Sequence, residues 1–407
     1  MKPQTSNQQF SVKKSLTLYF IASAFLIFEM AVQVSPSVMT TQLMQHLQMS
    51  VFGLGIMSGC YFYSYTAMQI PSGILLDRFN PRFVMVSAIL TCVLGCVLLG
   101  SASTMLMACF ARLLMGFGSA FAFVSVLVVT ADLFSSRHFA VMTGMTQMLA
   151  ALGAMSGQLP VHFLVTTLGW RNTLFVFAII GTVIATLVFY FLHYKRIDTH
   201  TLLNNNINIK AILRNKQTWF VAIYACLLWA PMSAFTSLWG VPFLKNIDHL
   251  SAANAAFFCS LMWIGLAIAS PLLGFLSTRA HNRKLFLILS AGLGLFCFSI
   301  ILFFKLKGLM LAALLFLAGA ACSGQALSFT VVKENNHRSV AASAIAFNNM
   351  AVVISGALFQ PFVGWLLNET GNYRLSLSIV LIAYLLGFLM AVFGITETAL
   401  KRQVERQ

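Results

Sequence analysis

Apolar residues run in long blocks, each closed by a short polar segment, along almost the whole chain. A block needs about 20 residues to cross the hydrocarbon of a bilayer as an α-helix. Twelve blocks satisfy this: 16–39, 51–76, 83–102, 104–131, 139–166 and 172–193, then 218–240, 252–276, 285–304, 309–332, 340–367 and 375–395. The pattern predicts an all-α membrane protein of twelve transmembrane helices, and the even number puts both termini on one side.

The second six blocks repeat the first. Displacing the sequence by 201 positions superposes Gly73 on Gly274, Arg78 on Arg279, Arg82 on Arg283, Arg137 on Arg338, Gln147 on Asn348 and Pro160 on Pro361. A register held without a gap points to duplication. The chain therefore divides into two pseudo-symmetric six-helix bundles, 1–192 and 218–407, joined by a polar, basic linker over 193–217. Within the linker, a short amphipathic helix from Ile207 to Leu213 lying on the membrane and a solvated loop are both open.

Composition narrows the class. Hydrophobic residues make up 59% and charged residues 8% of the 407, where soluble domains carry about 25% charged residues, so an ordinary soluble globule is excluded. The net charge of +16 raises nucleic acid as a partner, but the basic residues are spread over short loops on one membrane face and do not gather on one domain. Of the 25 Lys and Arg, 19 lie on the side of the termini, while Arg171, Lys245, Lys305, Lys307 and Arg374 lie opposite and Arg112 sits inside a helix. This bias places both termini in the cytoplasm. No small-residue cleavage site follows the first block, which reads as its own insertion signal. The eight cysteines all fall inside apolar blocks, without C-x-x-C or His-Cys spacing, and read as packing residues with no metal site. A P-loop, H-E-x-x-H and G-x-S-x-G are all lacking. The expectation is a protein that is not an enzyme, with no cofactor and no ATP coupling.

One stretch joins these observations to a family. Between Tyr61 and Arg82 the chain reads YFYSYTAMQIPSGILLDRFNPR, an apolar segment that ends in Gly73, Asp77, Arg78 and Arg82. It resembles the loop between helices 2 and 3 of the major facilitator superfamily, G-x-x-x-D-R-x-G-R-[KR]. Asn80 stands where the second glycine usually sits and Pro81 where an arginine often does; asparagine tolerates a left-handed backbone, so the turn is expected to survive. The resemblance implies two six-helix halves around a midplane cavity lined by helices 1, 4, 7 and 10. It also implies a gating cluster of Gly73, Asp77, Arg78 and Arg82 with Asp132 at the cytoplasmic end of helix 4. Thr278 replaces the acid of Asp77 in the second copy, which points to gating in the first half alone. The run RLLMGFG, with Arg112, Gly116 and Gly118, resembles the family's R-x-x-x-G-x-G pattern linked to proton coupling. The G-P pair of the family's antiporters is missing from helix 5. VSPSVM on helix 1, with the stretch above, is similar to the branch of organic-anion permeases and relatives of lysosomal dipeptide transporters.

A charge inside the hydrocarbon region costs about 2.5 to 3.5 kcal/mol on insertion scales, so ionisable residues there usually line water or one another. Glu29 and Arg112 are the two placed well inside a span. They are candidates for proton coupling and substrate binding, with a buried ion pair that only fixes packing as the alternative; a guanidinium also suits a substrate carboxylate. Further cavity candidates are Gln33, Tyr61, Tyr65, Gln147, Trp229, Gln325, Asn348 and Asn349, with helix-to-helix hydrogen bonding the competing role for each. Pro36, Pro71, Pro160, Pro231, Pro271 and Pro361 mark expected kinks. Together these features lead to an expected monomeric, proton-coupled secondary transporter of the bacterial inner membrane, a symporter of a small polar solute bearing a carboxylate. Siderophore movement and drug or metabolite efflux are alternatives on the same fold. A non-transporting receptor is the alternative from another class, and it would need an output domain that a linker of this length does not supply. The topology is directly testable: a tag inserted in the 193–217 linker is expected to be reachable only from the cytoplasm, and labelling from outside intact cells would break the twelve-helix reading.

Overall fold

The computed structural model describes residues 12–134, 136–193, 209–336 and 340–398. Every regular element among them is helical. The spans are α1 (Val12–Val38), α2 (Val51–Ala67 continued by Gln69–Arg78), α3 (Pro81–Gly100), α4 (Met105–Thr130), α5 (Met145–Leu168) and α6 (Trp170–Phe191). The second half holds α7 (Lys216–Ile247), α8 (Ala252–Arg279), α9 (Arg283–Phe303), α10 (Gly308–Glu334), α11 (Ala344–Thr370) and α12 (Tyr373–Gly394). Among the described residues eleven are long and apolar enough to cross a membrane; α2, the twelfth, is split at Met68 into helices of 17 and 10 residues. In the linker a six-residue helix, Ile209–Arg214, precedes α7; the rest of the expected Ile207 to Leu213 segment, 207–208, lies outside the described residues.

Four of the six prolines expected to mark kinks sit at interruptions. Pro36 falls in a 3-10 turn, Ser35–Val38, that ends α1. Pro71 lies in the first turn after the Met68 break. Pro160 follows Gln158, whose backbone leaves the helical region (φ −98°, ψ −101°). Pro231 opens a π-helical stretch, Pro231–Trp239, inside α7. In each case the missing N–H and the ring's clash with the preceding turn loosen the ladder. Pro271 and Pro361 lie within continuous helices instead. Gly169, at φ 81°, turns the chain between α5 and α6 in a conformation a side chain rarely adopts.

Asn80 corrects an expectation. Its backbone is extended (φ −63°, ψ 123°), not left-handed, and its side chain caps α3 by accepting from the Arg82 N–H at 3.0 Å. The following proline is the reason, because Pro81 disfavours helical dihedrals at the residue before it and is itself preorganised for the first helical position.

Within the first half α3 packs on α4 and α6, α2 on α4 and α1 on α5; within the second, α8 packs on α10, α9 on α10 and α12, and α7 on α11. The halves meet chiefly along α2 with α11 and α5 with α8. Without a hydrophobic drive between helices in lipid, such contacts rely on small residues that let backbones approach. On the side where α1 ends and α2 begins, here the Ser35 side, a side chain on Gly55 would stand 2.8 Å from the Gln360 carbonyl, and one on Gly59 would stand 2.8 Å from the Pro361 ring. Towards the Asp77 side two glycines have open space beside them. At Gly73 on α2 and Gly274 on α8 an added Cβ would meet nothing within 4 Å.

Two glycine substitutions should therefore fail differently. Gly116 of α4 lies against the Tyr61 carbonyl inside the first half, so Gly116→Val is expected to lower yield and unfolding temperature in detergent. Gly55→Val acts between the halves. It should leave the unfolding temperature within a few degrees but widen the α2 to α11 distance on the Ser35 side, read by spin-label distance measurement.

Candidate functional site

Between the two halves lies a cavity of about 100 Å³, lined by helices of both. From the first half come Glu29 and Gln33 on α1, Phe62 and Tyr65 on α2, and Gln147 on α5. The second half adds Trp229 on α7, Trp263 on α8, Gln325 on α10 and Asn349 on α11. Two hydrogen bonds across the halves bracket it. On the Ser35 side Gln158 Nε2 donates to the Thr236 carbonyl at 2.7 Å. On the Asp77 side Asn349 Nδ2 donates to Gln69 Oε1 at 2.6 Å.

Three residues expected to line the cavity do not. Asn348 is turned into the second half, where its Nδ2 donates to Ser328 Oγ at 2.8 Å. Tyr61 and Arg112 lie behind the lining, and they do so together. The Tyr61 hydroxyl donates to Glu29 Oε1, while the Arg112 guanidinium sits over the Tyr61 ring, 4.5 Å from its centre. Arg112 also donates through Nη1 to the Val32 carbonyl at 3.3 Å and through Nη2 to that of Gln33 at 3.5 Å. In place of the alternative of a Glu29 to Arg112 ion pair, the two groups meet the same tyrosine, one at its hydroxyl and the other at its ring face. The reason is spacing on α4. Gly116, one turn after Arg112, lets α2 close onto α4 at the Tyr61 carbonyl, and this slides the Tyr61 ring between the acid and the guanidinium. Gly118 turns to the other side, towards Ala88 and Cys92 of α3. The three marked positions of RLLMGFG therefore wedge α4 between α2 and α3 and cover the arginine.

Of the residues that the family pattern assigns to gating, Arg78 is exposed, while Arg82 and, at the end of α4, Asp132 are half-buried. Arg82 Nη1 meets His193 Nε2, and its guanidinium lies 4.2 Å from the centre of the Phe189 ring, so its described contacts run to α6. The side chain of Asp77 lies outside the described residues.

The second copy of this loop is fuller than its sequence suggests. Thr278 Oγ1 and Ser277 Oγ each accept from Arg283 Nη1 at 2.8 Å, and Glu334 at the end of α10 pairs with Arg283 at 3.6 Å. Glu397, after α12, accepts from the Arg283 and Lys284 N–H groups at 3.0 and 2.8 Å, capping α9. Thr398 donates to Glu334 at 2.6 Å. Acids from elsewhere supply the charge that Thr278 lacks. Glu334 and Glu397 were not singled out from the sequence. Neither was Trp263, although the 201-residue displacement superposes it on Phe62, another wall of the same cavity.

Residues 20–359 match the family model described as Major Facilitator Superfamily. The chain belongs to that superfamily. It is 22% identical over 406 residues to the "Uncharacterized transporter YybO" of Bacillus subtilis, covering 92% of each chain. It is 23% identical over 380 residues to the "Probable sulfoacetate transporter SauU" of Cupriavidus necator, covering 84% of this chain and 85% of that one. Among solved structures it is similar to a bacterial homologue of the human lysosomal transporter Spinster in an inward-facing, unoccupied conformation, with TM-score 0.72, 15% identity and 98% of both chains covered. It is also similar to the nucleoside transporter NupG, with TM-score 0.77, 13% identity and 92% of this chain and 98% of that one covered. This superfamily member is a multi-pass membrane transporter of a small-molecule substrate.

Tyr61 yields a pair of variants. A desolvated cation–π contact contributes about 2 kcal/mol, so Tyr61→Ala, which uncovers Arg112, should lower the unfolding temperature in detergent by several degrees. Tyr61→Phe keeps the ring and loses only the donor to Glu29. It should unfold close to the wild type while losing transport at least tenfold.

Proposed function

We propose that the protein is a secondary active transporter that moves a small polar organic solute by alternating access and is coupled to protons through Glu29. One observation carries this reading: among the described residues that line the cavity between the halves, Glu29 is the one Asp, Glu, Lys, Arg or His side chain. A carboxyl at that depth bears an uncompensated charge unless a proton or another cation joins it. Opening either side of the cavity exposes Glu29 to one aqueous phase at a time, which is what coupling requires.

The bracketing hydrogen bonds, Gln158 to Thr236 and Asn349 to Gln69, are the contacts that break in turn as the halves rock. The loop with Gly73, Asp77, Arg78 and Arg82, with Asp132, and its second-half copy at Arg283 and Glu334, hold the Asp77-side ends and bias the equilibrium between the two openings. The charge bias of the loops supports placing that side and both termini in the cytoplasm, in a bacterial inner membrane. A carboxylate on the solute was expected to engage Arg112. That arginine does not line the cavity and lies under Tyr61, so it offers such a group no partner there.

Purified protein in liposomes, screened with labelled polar solutes, tests the reading. Accumulation should follow an imposed pH gradient. Glu29→Gln should abolish that accumulation and retain solute exchange at equal pH on both sides. Accumulation by Glu29→Gln in response to the gradient would remove Glu29 from the coupling.

A further inference from the structure

Two buried polar atoms of the cavity residues lack a hydrogen-bond partner: the second carboxyl oxygen of Glu29, Oε2, and the indole nitrogen of Trp263, Nε1. One is an acceptor on α1 of the first half and the other a donor on α8 of the second. Unmet polar groups of this kind are costly in a protein interior, and a native structure keeps them where something else completes them. A molecule in this cavity can complete both.

We infer that these atoms are the two ends of the solute site and that the solute is a small organic cation. Its ammonium group donates to Glu29 Oε2, and a polar atom at its far end accepts from Trp263 Nε1. This deepens the transporter reading and rests on it. The electrostatics select the charge. No Lys, Arg or His lines the cavity among the described residues, so an anionic solute would meet a carboxyl and no counter-charge. Arg112 does not reach it: Tyr61 covers the guanidinium, and two of its nitrogens are engaged by the backbone of α1. A cation would meet the carboxyl and the aromatic walls of Phe62, Tyr65, Trp229 and Trp263, and aromatic faces, tryptophan above all, attract cations.

The charge of the solute also decides the sense of coupling. Facing Glu29 from α2 are Tyr61, which donates to Oε1, and Tyr65; Cys92 of α3 lies within electrostatic reach, and Arg112 of α4 stands beyond the Tyr61 ring. From α5, α7, α8, α10 and α11 come only the neutral Gln147, Trp229, Trp263, Gln325 and Asn349, together with apolar side chains. Among the described residues that line the cavity no second acid stands ready to receive a displaced proton. The ammonium and the proton therefore compete for one carboxyl, and each leaves to water when the other binds. The protein exchanges cation for proton; it does not carry them together.

Tyramine and 3-(4-hydroxyphenyl)propionate form a matched probe pair, with the same ring and phenolic oxygen and opposite charge on the tail. Calorimetric titration of the detergent-purified full chain at pH 6, in two buffers of different ionisation enthalpy, reads affinity and proton count together. Tyramine should bind with release of a proton, and the carboxylate should not bind. Glu29→Gln should abolish the proton release and weaken tyramine at least tenfold, with an unfolding temperature matching the wild type. Trp263→Phe should weaken tyramine roughly tenfold, as one lost hydrogen bond does, and leave the proton count unchanged. Failure of tyramine to bind, or binding without proton release, overturns the inference. Binding of the carboxylate with proton uptake at Glu29 overturns it too while leaving proton-coupled transport intact. Transport that ignores a pH gradient would instead strike the underlying reading.

Discussion

Tyr61 stands between a carboxyl and a guanidinium in the middle of a hydrocarbon-embedded bundle, and the first half is arranged to hold it there. Either charge alone would cost about 2.5 to 3.5 kcal/mol on insertion scales. The ring offers a face to Arg112 and a hydroxyl to Glu29, so one side chain meets both demands without bringing the two charges together. Direct pairing would neutralise Glu29 permanently. Placing an aromatic ring between the groups leaves the carboxyl with one oxygen committed and the other without a hydrogen-bond partner.

That arrangement depends on close helix packing. Arg112 can lie under Tyr61 because Gly116 gives the Tyr61 carbonyl room against α4. The same device recurs between the halves, where Gly55 and Gly59 of α2 admit the backbone of Gln360 and the ring of Pro361 on α11. Contacts of this kind fit closely or not at all, since a backbone seated in a glycine notch has no side chain to adjust. They suit a molecule that alternates between discrete packings. The breaks at Met68, Gln158 and Pro231 fall in α2, α5 and α7, helices that also supply cavity residues, so bending and cavity shape are linked.

The two halves carry the same loop with different chemistry. In the second, the uncharged Thr278 accepts a hydrogen bond from Arg283, and negative charge arrives from Glu334 and Glu397. Glu397 also caps α9, where a carboxylate is favoured by the exposed N–H groups and the helix dipole. The segment after α12 is fastened as well to the start of α7, through Gln217 with Gly394 and Thr396. The second bundle is thereby tied at one end by its own C-terminal segment.

Much of the fold was legible in the sequence because a bilayer imposes a length on every span, and twelve apolar blocks can satisfy it in essentially one way. The duplication, the loop at Asp77 and the rarity of charge inside the spans were legible for the same reason: lipid makes each polar residue conspicuous. Glu29, Gln33, Tyr65, Gln147, Trp229, Gln325 and Asn349 stood out in the sequence as candidates, and each of them lines the cavity between the halves. Local reading failed where a neighbour in space decided the outcome. Asn348 and Asn349 are adjacent and chemically identical, yet the helix turn sends one to Ser328 and the other to the cavity. Glu397 reaches Arg283 across 114 residues. Whether Arg112 faces the solute or a tyrosine ring is set by how closely α2 approaches α4, a distance fixed by a glycine on one helix and a carbonyl on another. The sequence alone determined which residues are costly to bury in a membrane; only the tertiary structure decided which partner offsets each cost, because that depends on contacts between helices that no single helix encodes.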